Sequence, residues 1–187
     1  LVETGEDIVP GEGPVTGEIM FIGEAPGYHE SVQRCPFVGR SGKFFRQILE
    51  EEAGYGAKQI YISNVVKARP PGNRDPSAQE IAAYKPYLDR EIELIKPVII
   101  VTLGRFSMGK FLSEVKISQV HGRLHRVKWQ DTNLFILPMF HPAAALRQGR
   151  WRQAFIDDFK KLPKVLTWVK EKEADYDFQD EVEAALY

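Results

Sequence analysis

The sequence predicts an α/β fold, a three-layer α/β/α sandwich around a central four-stranded parallel sheet. Four apolar runs of strand length alternate with amphipathic helical segments, and this alternation is typical of a parallel sheet with helices on both faces. The third run, residues 97–103, is apolar except for Thr102, as expected for a strand buried on both sides. The 187 residues suit one domain, which we place at residues 1–170, followed by an acidic C-terminal tail over residues 171–187.

The element boundaries follow from the apolar pattern and from Gly, Pro and capping residues. Strands are predicted over residues 18–23, 60–66, 97–103 and 134–140. Helices are predicted over residues 41–52, 77–95, 104–112 and 151–170. Ser77 and Glu80 have the spacing of a capping box, and Ser41 is the expected cap of the first helix. Residues 24–40 and 67–76 are expected to be loops, and residues 115–129 irregular structure with a short hairpin.

Composition and charge exclude several classes of protein. No apolar run is long enough to span a membrane, and the polar N-terminal residues lack the layout of a signal peptide. The single cysteine, Cys35, rules out an internal disulfide and a cysteine-based zinc or iron–sulfur site, and it suits the cytoplasm. The net charge is −1, but residues 171–187 hold seven acids and one lysine, so the preceding residues carry +5. A basic surface is therefore compatible with the overall charge.

Two loops carry most of the functional groups, and each follows a predicted strand. The first contains Gly23-Glu24-Ala25-Pro26-Gly27, and the second is His141-Pro142-Ala143-Ala144-Ala145-Leu146-Arg147. Ligands of open α/β sheets bind at the carboxyl ends of the strands, so we expect both loops to border one pocket. Read alone, the first motif is equally compatible with an ordinary strand-to-loop turn.

Three side chains near these loops suit a planar ligand. Phe37 lies in a Gly/Pro-flanked loop and is either a stacking platform or a core anchor of that loop. Asn64 lies within a predicted strand, and its amide offers a donor and an acceptor together, unless it serves the backbone instead. His141 precedes a proline at a strand end, where an imidazole can donate to a developing anion, although an isolated histidine is more often structural. Together they point to a nucleobase.

Basic residues accompany the same loops and suit phosphate contacts, or are solvated surface. They are Lys67, Arg69, Arg74, Arg147 and Arg150, with Arg152 beside them.

Six ordered segments resemble the uracil-DNA glycosylase superfamily, and most closely its family 4. The segments are GEAPGYHE from Gly23, PFVGRSG from Pro36, YISNVVKARPPGNRDP from Tyr61, VIIVTLG from Val98, VHGRLH from Val120 and HPAAALR from His141. The resemblance covers roughly residues 18–165 and implies a single α/β/α domain that hydrolyses the N-glycosidic bond of uracil in DNA. The hydrolysis itself is expected to require no metal or organic cofactor. It implies a monomer whose partner is uracil-containing DNA, single- or double-stranded.

The resemblance also implies a role for each matching residue. Gly23, Glu24 and Ala25 would line the uracil pocket, Phe37 would stack on the base, and Asn64 would read its Watson–Crick edge. His141 would donate to uracil O2, while Glu24, Glu30 and Asn73 are positions implicated in placing water or supporting catalysis. Leu146 is a candidate wedge for the gap left by the flipped nucleotide. Ser31 departs from the family, which usually has an acid there.

This chain departs from the family pattern at the cysteine positions. Family 4 normally binds a [4Fe–4S] cluster through four cysteines, two of which align with Ala68 and Tyr84, and the N-terminal residues supply no cysteine. We therefore predict no cluster, with Tyr84 packed into the vacated volume.

Two other classes of function are alternatives to a monofunctional glycosylase. A non-catalytic or covalently trapping uracil-DNA-binding relative would keep a similar pocket without turnover. An unrelated α/β hydrolase or nucleotide-binding protein is disfavoured, because the sequence has neither a Gly-x-Ser-x-Gly elbow nor a phosphate-binding loop.

Overall fold

A five-stranded sheet forms the centre of the molecule, with the strand order β2-β1-β3-β5-β4. The computed structural model describes the backbone of residues 7–175 and the side chains of residues 7–172. The strands are β1 (Ile19–Gly23), β2 (Ile60–Asn64), β3 (Ile99–Leu103), β4 (His125–Trp129) and β5 (Thr132–Met139). The helices are α1 (Tyr28–Gln33), α2 (Arg40–Ala53), α3 (Ala78–Ile95), α4 (Arg105–Gly109), α5 (Ile117–Val120), α6 (Pro142–Arg147) and α7 (Gly149–Asp175).

The α/β class is confirmed, but the prediction of four parallel strands is incomplete. β1, β2, β3 and β5 are parallel, whereas β4 pairs antiparallel with β5 at the sheet edge. The sequence predicts irregular structure with a short hairpin in this region, because residues His125 to Trp129 are mostly polar. In the structure these residues are half-buried or exposed. An edge strand of this kind lacks the continuous apolar run that marks a buried parallel strand.

The helices cover both faces of the sheet, and alternate strand residues serve the two sides. Ile19 and Phe21 pack with α2 and α7, while Met20 and Ile22 pack with α3. The stripe predicted for α7 is confirmed, since all four of its residues are buried: Phe155, Phe159, Leu162 and Leu166. Among the described residues, no helix is both long and apolar enough to cross a membrane.

Helix boundaries differ from the predictions where capping or exposure was misjudged. The capping box at Ser77 is present, with Glu80 N–H donating to Ser77 Oγ. The cap of α2 is Gly39 rather than Ser41, and no side chain caps it. α1 lies within the predicted loop 24–40. None of its residues is buried, so its sequence has no apolar periodicity from which a helix could be predicted. The last helix reaches Asp175, beyond the predicted end of the domain, and tail residues 176–187 lie outside the described residues.

Candidate active site

A cleft of about 770 Å³ opens where the loops after β1, β2, β3 and β5 meet. This is the carboxyl edge of the parallel strands, where the two motif loops were expected to converge. Nine of the predicted site residues line the cleft: Glu24, Ala25, Glu30, Phe37, Asn64, Asn73, Arg74, His141 and Arg147. The volume is that of a site for a ligand larger than one small ring, within the usual range of about 300–1,000 Å³.

Phe37 and Asn64 meet over Gly23 at the deep end of the cleft. A Cβ added to Gly23 would lie 2.4 Å from Asn64 Oδ1 and 2.5 Å from Phe37 Cζ, so only glycine leaves the two side chains in place. Asn64 is 4% exposed and lines the cleft. A side-chain amide that lines a cleft offers a ligand one donor group and one acceptor.

The backbone of Phe37 is held in the left-handed region, with φ of 56°. Arg46 Nε donates to the Phe37 carbonyl at 3.0 Å, and Gly42 leaves room for the Phe37 backbone against α2. Glu30 fixes the same loop, because its Oε1 accepts from Val38 N–H at 3.0 Å and from Gly39 N–H at 2.7 Å. Glu30 therefore borders the cleft as the anchor of the loop that carries the aromatic ring.

His141 is the N-cap of α6, and its ring orientation is set by the helix backbone. Nδ1 accepts a hydrogen bond from Ala143 N–H at 3.1 Å, so the proton of the neutral ring is on Nε2. Burial, and secondarily the positive charge of Arg147, lower the pKa of His141 to about 4, against a smaller opposing effect of Glu30. At neutral pH the residue is a neutral imidazole with one N–H donor.

Glu24, the first residue after β1, has the opposite perturbation. Burial, and secondarily the negative charge of Asp75, raise the pKa of Glu24 to about 7, while Arg105 acts to lower it. Asp75 and Arg105 form an ion pair and both line the cleft. The site thus holds a neutral donor and a carboxyl group that titrates near neutrality, an arrangement suited to acid–base or electrostatic work.

The predicted DNA-contact residues are divided by the structure. Arg147 is exposed and lines the cleft, and Arg74 lines it while donating to both oxygens of Glu80. Arg69 lies over the Tyr28 ring, with Cζ 5.2 Å from the centroid, and donates to Asn73 Oδ1 at 2.6 Å.

The position of Lys67 contradicts the prediction that it contacts DNA. It is 5% exposed, and its Nζ donates to Ser63 Oγ and, at 2.6 Å, to Glu91 Oε2. An ammonium group buried at that level must be paired within the protein, so it cannot meet a phosphate on the surface. The prediction failed because the loop position of Lys67 suggested exposure.

Leu146 and Arg150 do not line the cleft. Leu146 is half-buried against the apolar core on the α7 side of the sheet. Arg150 is exposed, and its guanidinium lies over the Trp151 ring.

Several residues that line the cleft were not predicted from the sequence. Asp75 and Arg105 sit in predicted elements with no separate signal, and Trp151 was assigned only as the first residue of a core helix. The tripeptide Arg150-Trp151-Arg152, an aromatic residue between two cations, was the available signal for this part of the cleft.

The residues at the cluster positions do not fit an iron–sulfur group. Ala68 and Tyr84 are 3% and 7% exposed and share one apolar cluster with Met20 and Leu88, so no thiolate faces that volume. The sole cysteine, Cys35, donates to Glu12 Oε2 at 3.3 Å instead. Within residues 7–172, no group of three or more His, Cys, Asp or Glu side chains is placed to hold a metal ion.

Comparisons with known proteins agree with this geometry. The family model described as the uracil DNA glycosylase superfamily matches residues 10–162. The chain is 44% identical over 173 residues to the type-4 uracil-DNA glycosylase of Sulfurisphaera tokodaii, covering 90% of this chain and 79% of that protein. It is 41% identical to the type-4 enzyme of Saccharolobus solfataricus, covering 87% and 77%, and 38% identical to that of Archaeoglobus fulgidus, covering 87% and 83%. The chain therefore belongs to the uracil DNA glycosylase superfamily.

Proposed function

We propose that this protein is a monofunctional uracil-DNA glycosylase that hydrolyses the bond between uracil and deoxyribose in DNA. The observation that carries the proposal is that Phe37, Asn64 and His141 line one cleft, with Phe37 and Asn64 both against Gly23. The relatives named type-4 uracil-DNA glycosylases support the same substrate.

Recognition of the base requires the nucleotide to leave the stack, at a cost of a few kcal/mol. In the deep end of the cleft, the Phe37 ring offers a face for the flipped pyrimidine, and the Asn64 amide pairs with its O4 and N3–H. Cytosine presents a donor at position 4 and an acceptor at N3, the reverse of uracil. An amide fixed in one orientation therefore favours uracil.

Bond cleavage develops negative charge on the base and positive charge on the sugar. The N1–C1′ bond breaks with both electrons going to N1, and the neutral His141 donates from Nε2 to O2 as charge accumulates there. A preorganised donor of this kind contributes about 2.7–4 kcal/mol. A water molecule adds its oxygen to C1′, one of its protons passes to the Glu24 carboxylate and then to solvent, and the uracil anion takes a proton from solvent.

Contacts to DNA are proposed for four cations in or beside the cleft, of which Arg69 is half-buried and the others are exposed. Arg69, Arg74, Arg147 and Arg150 are placed to meet phosphates, with Asn73 holding Arg69. Leu146 is retained as the candidate wedge, although its present position against the core requires it to move on binding. We also propose that the protein acts as a monomer in the cytoplasm, where its single cysteine suits a reducing compartment.

The test is single-turnover excision from labelled oligonucleotides with one uracil opposite G, opposite A or unpaired. Strand breaks that appear only after alkali establish a monofunctional glycosylase, and the rates rank the substrates. In His141→Ala the rate should fall by about 100-fold or more, since one oxyanion donor is lost. Intact DNA in every context would refute the proposal, and a protein–DNA adduct that survives denaturation would assign a covalently trapping relative instead.

A further inference from the structure

We propose that the cleft contains a second binding subsite, built on Trp151, for the nucleobase that neighbours the uracil on the same strand. The inference rests on the proposed function, since it assigns the remainder of the same cleft. The proposed uracil subsite uses Phe37, Asn64 and His141, which leaves a second wall formed by Phe140, Trp151, Ile117 and Ser118.

That wall carries a flat aromatic surface. The rings of Phe140 and Trp151 are stacked, with centroids 5.4 Å apart and planes 6° apart. His121 packs on Phe140 at 4.4 Å, and its Nδ1 lies 2.6 Å from Asp158 Oδ2, a carboxylate that is itself buried. The indole is thereby backed by a fixed column of rings, and a rigid platform loses little entropy when a ligand stacks on it.

The indole already attracts a flat cationic group. The Arg150 guanidinium lies over the Trp151 ring, with Cζ 5.3 Å from the centroid. A planar guanidinium and a nucleobase use the same π-surface, so a base that docks on Trp151 would displace Arg150 toward the adjacent phosphate.

The charge around this wall matches a DNA strand. Residues 147–153 contain three arginines and no acid, and Arg147 lines the cleft together with His141 and Trp151. Aromatic platforms flanked by cations bind single-stranded nucleic acid without sequence preference, because every base has a π-face. The occupant that fits both features is the nucleotide next to the uracil, unstacked from its own neighbours.

The experiment combines a change in the DNA with a change in the protein. Single-stranded oligonucleotides carry 2′-fluorinated deoxyuridine, whose glycosidic bond resists cleavage, with either a normal nucleotide or an abasic tetrahydrofuran residue on its 5′ or 3′ side. Kd is measured for the wild type, Trp151→Leu, Trp151→Phe and Trp168→Leu. Trp168 is the matched control, because it is a half-buried tryptophan of the same helix that packs on the same core but does not line the cleft.

For the wild type, loss of the neighbouring base on one side should weaken binding about tenfold, the size of one base–aromatic stacking contact. Trp151→Leu should bind the intact strand about tenfold more weakly and be indifferent to the missing base, whereas Trp168→Leu should behave as the wild type. Trp151→Phe keeps an aromatic ring and should retain part of the discrimination, which keeps the test valid if the leucine variant folds poorly.

Equal Kd values with and without the neighbouring base, on both sides, would overturn the inference. So would discrimination that persists unchanged in Trp151→Leu. Excision of unmodified uracil is measured in parallel. Normal excision without neighbour discrimination rejects the subsite alone, while absence of excision rejects the proposed function.

Discussion

At the scale of single residues, burial pushes two titratable groups of the cleft in opposite directions. His141 has its pKa lowered to about 4 and Glu24 has its pKa raised to about 7. Desolvation penalises the charged form of each, so the imidazole stays neutral and the carboxyl group resists ionisation. The donor is therefore constant over the working pH range, while the proposed water-orienting group is not.

Activity should therefore follow the titration of Glu24. The carboxylate is the proposed active form, so the single-turnover rate should rise with pH through a midpoint near 7, and Glu24→Gln should remove the rise. Asp75→Asn removes a negative charge that raises the pKa, so its midpoint should move to lower pH. Arg105→Gln removes the opposing charge and should move the midpoint upward, as a control of opposite sign. The rates are measured from pH 5.5 to 9. The same midpoint in the wild type, Asp75→Asn and Arg105→Gln would contradict the assignment of the titrating group to Glu24.

Base selection should depend on the amide of Asn64. In Asn64→Asp the NH₂ donor is replaced by an oxygen, so the side chain no longer matches O4 of uracil while it can accept from the amino group of cytosine. The ratio of single-turnover rates on uracil and cytosine should fall. A ratio equal to that of the wild type would assign Asn64 to the backbone instead.

The sequence predicted the residues that line the cleft better than the exposed cations beside it. Asn64 lies in a predicted strand, His141 follows one and Phe37 sits in a Gly/Pro-flanked loop, and all three line the cleft at one sheet edge. Lys67 also lies near the end of a predicted strand, but its ion pair with Glu91 of α3 holds the side chain in the interior. A contact between distant elements of this kind leaves no local pattern.

At the scale of elements, the strand-to-helix turn at Gly104 lies directly against His141. Gly104 has φ of +97°, and a Cβ there would lie 3.0 Å from His141 Cβ. A side chain at this position would both strain the turn and press on the histidine.

Gly104→Ala should therefore reduce the single-turnover rate at least tenfold. Gly109, in the same short helix α4, has open space around its Cα and no positive φ, so Gly109→Ala should keep the wild-type rate. Both rates are measured at saturating enzyme, with folding checked by circular dichroism. Equal rates for the two variants would show that the turn does not position His141.

Elements with a buried stripe or a strong cap were predictable, and exposed ones were not. α3 and α7 carry apolar residues at helical spacing, and Ser77 marks the start of α3. α1 buries nothing, and β4 pairs on only one edge, so neither has a pattern separable from loop sequence. Their existence depends on what the rest of the molecule places beside them.

At the scale of the whole molecule, a buried apolar cluster joins helix α3 to the loop after β2. Tyr84 of α3 and Ala68, in the loop after β2, belong to one buried cluster against the sheet. The Tyr84 hydroxyl is buried and has no hydrogen-bond partner among the described residues. The ring, rather than the hydroxyl, joins the helix to the loop.

Tyr84→Phe should therefore leave the free energy of unfolding unchanged or raise it, because it removes a buried hydroxyl without a partner. Tyr84→Ala should lower it by about 3–5 kcal/mol, the range for deleting a large buried aromatic ring. Tyr87→Phe, at an exposed position one turn away, is the control and should change little. Urea denaturation gives the three values, and iron analysis of the wild type should find no stoichiometric iron. A destabilised Tyr84→Phe variant would mean that the hydroxyl is bonded.

The hydrogen bond from Ala143 N–H to His141 at the start of helix α6 also bears on which ligands can bind in the cleft. Because Ala143 N–H occupies Nδ1 of His141, the exposed edge of that ring presents hydrogen and never a lone pair, before any substrate arrives. A ring such as isocytosine, which carries an amino group in place of the O2 carbonyl, would bring hydrogen against hydrogen at that point. We therefore expect the α6 cap to disfavour such rings in the cleft, independently of the pairing edge that is proposed for Asn64.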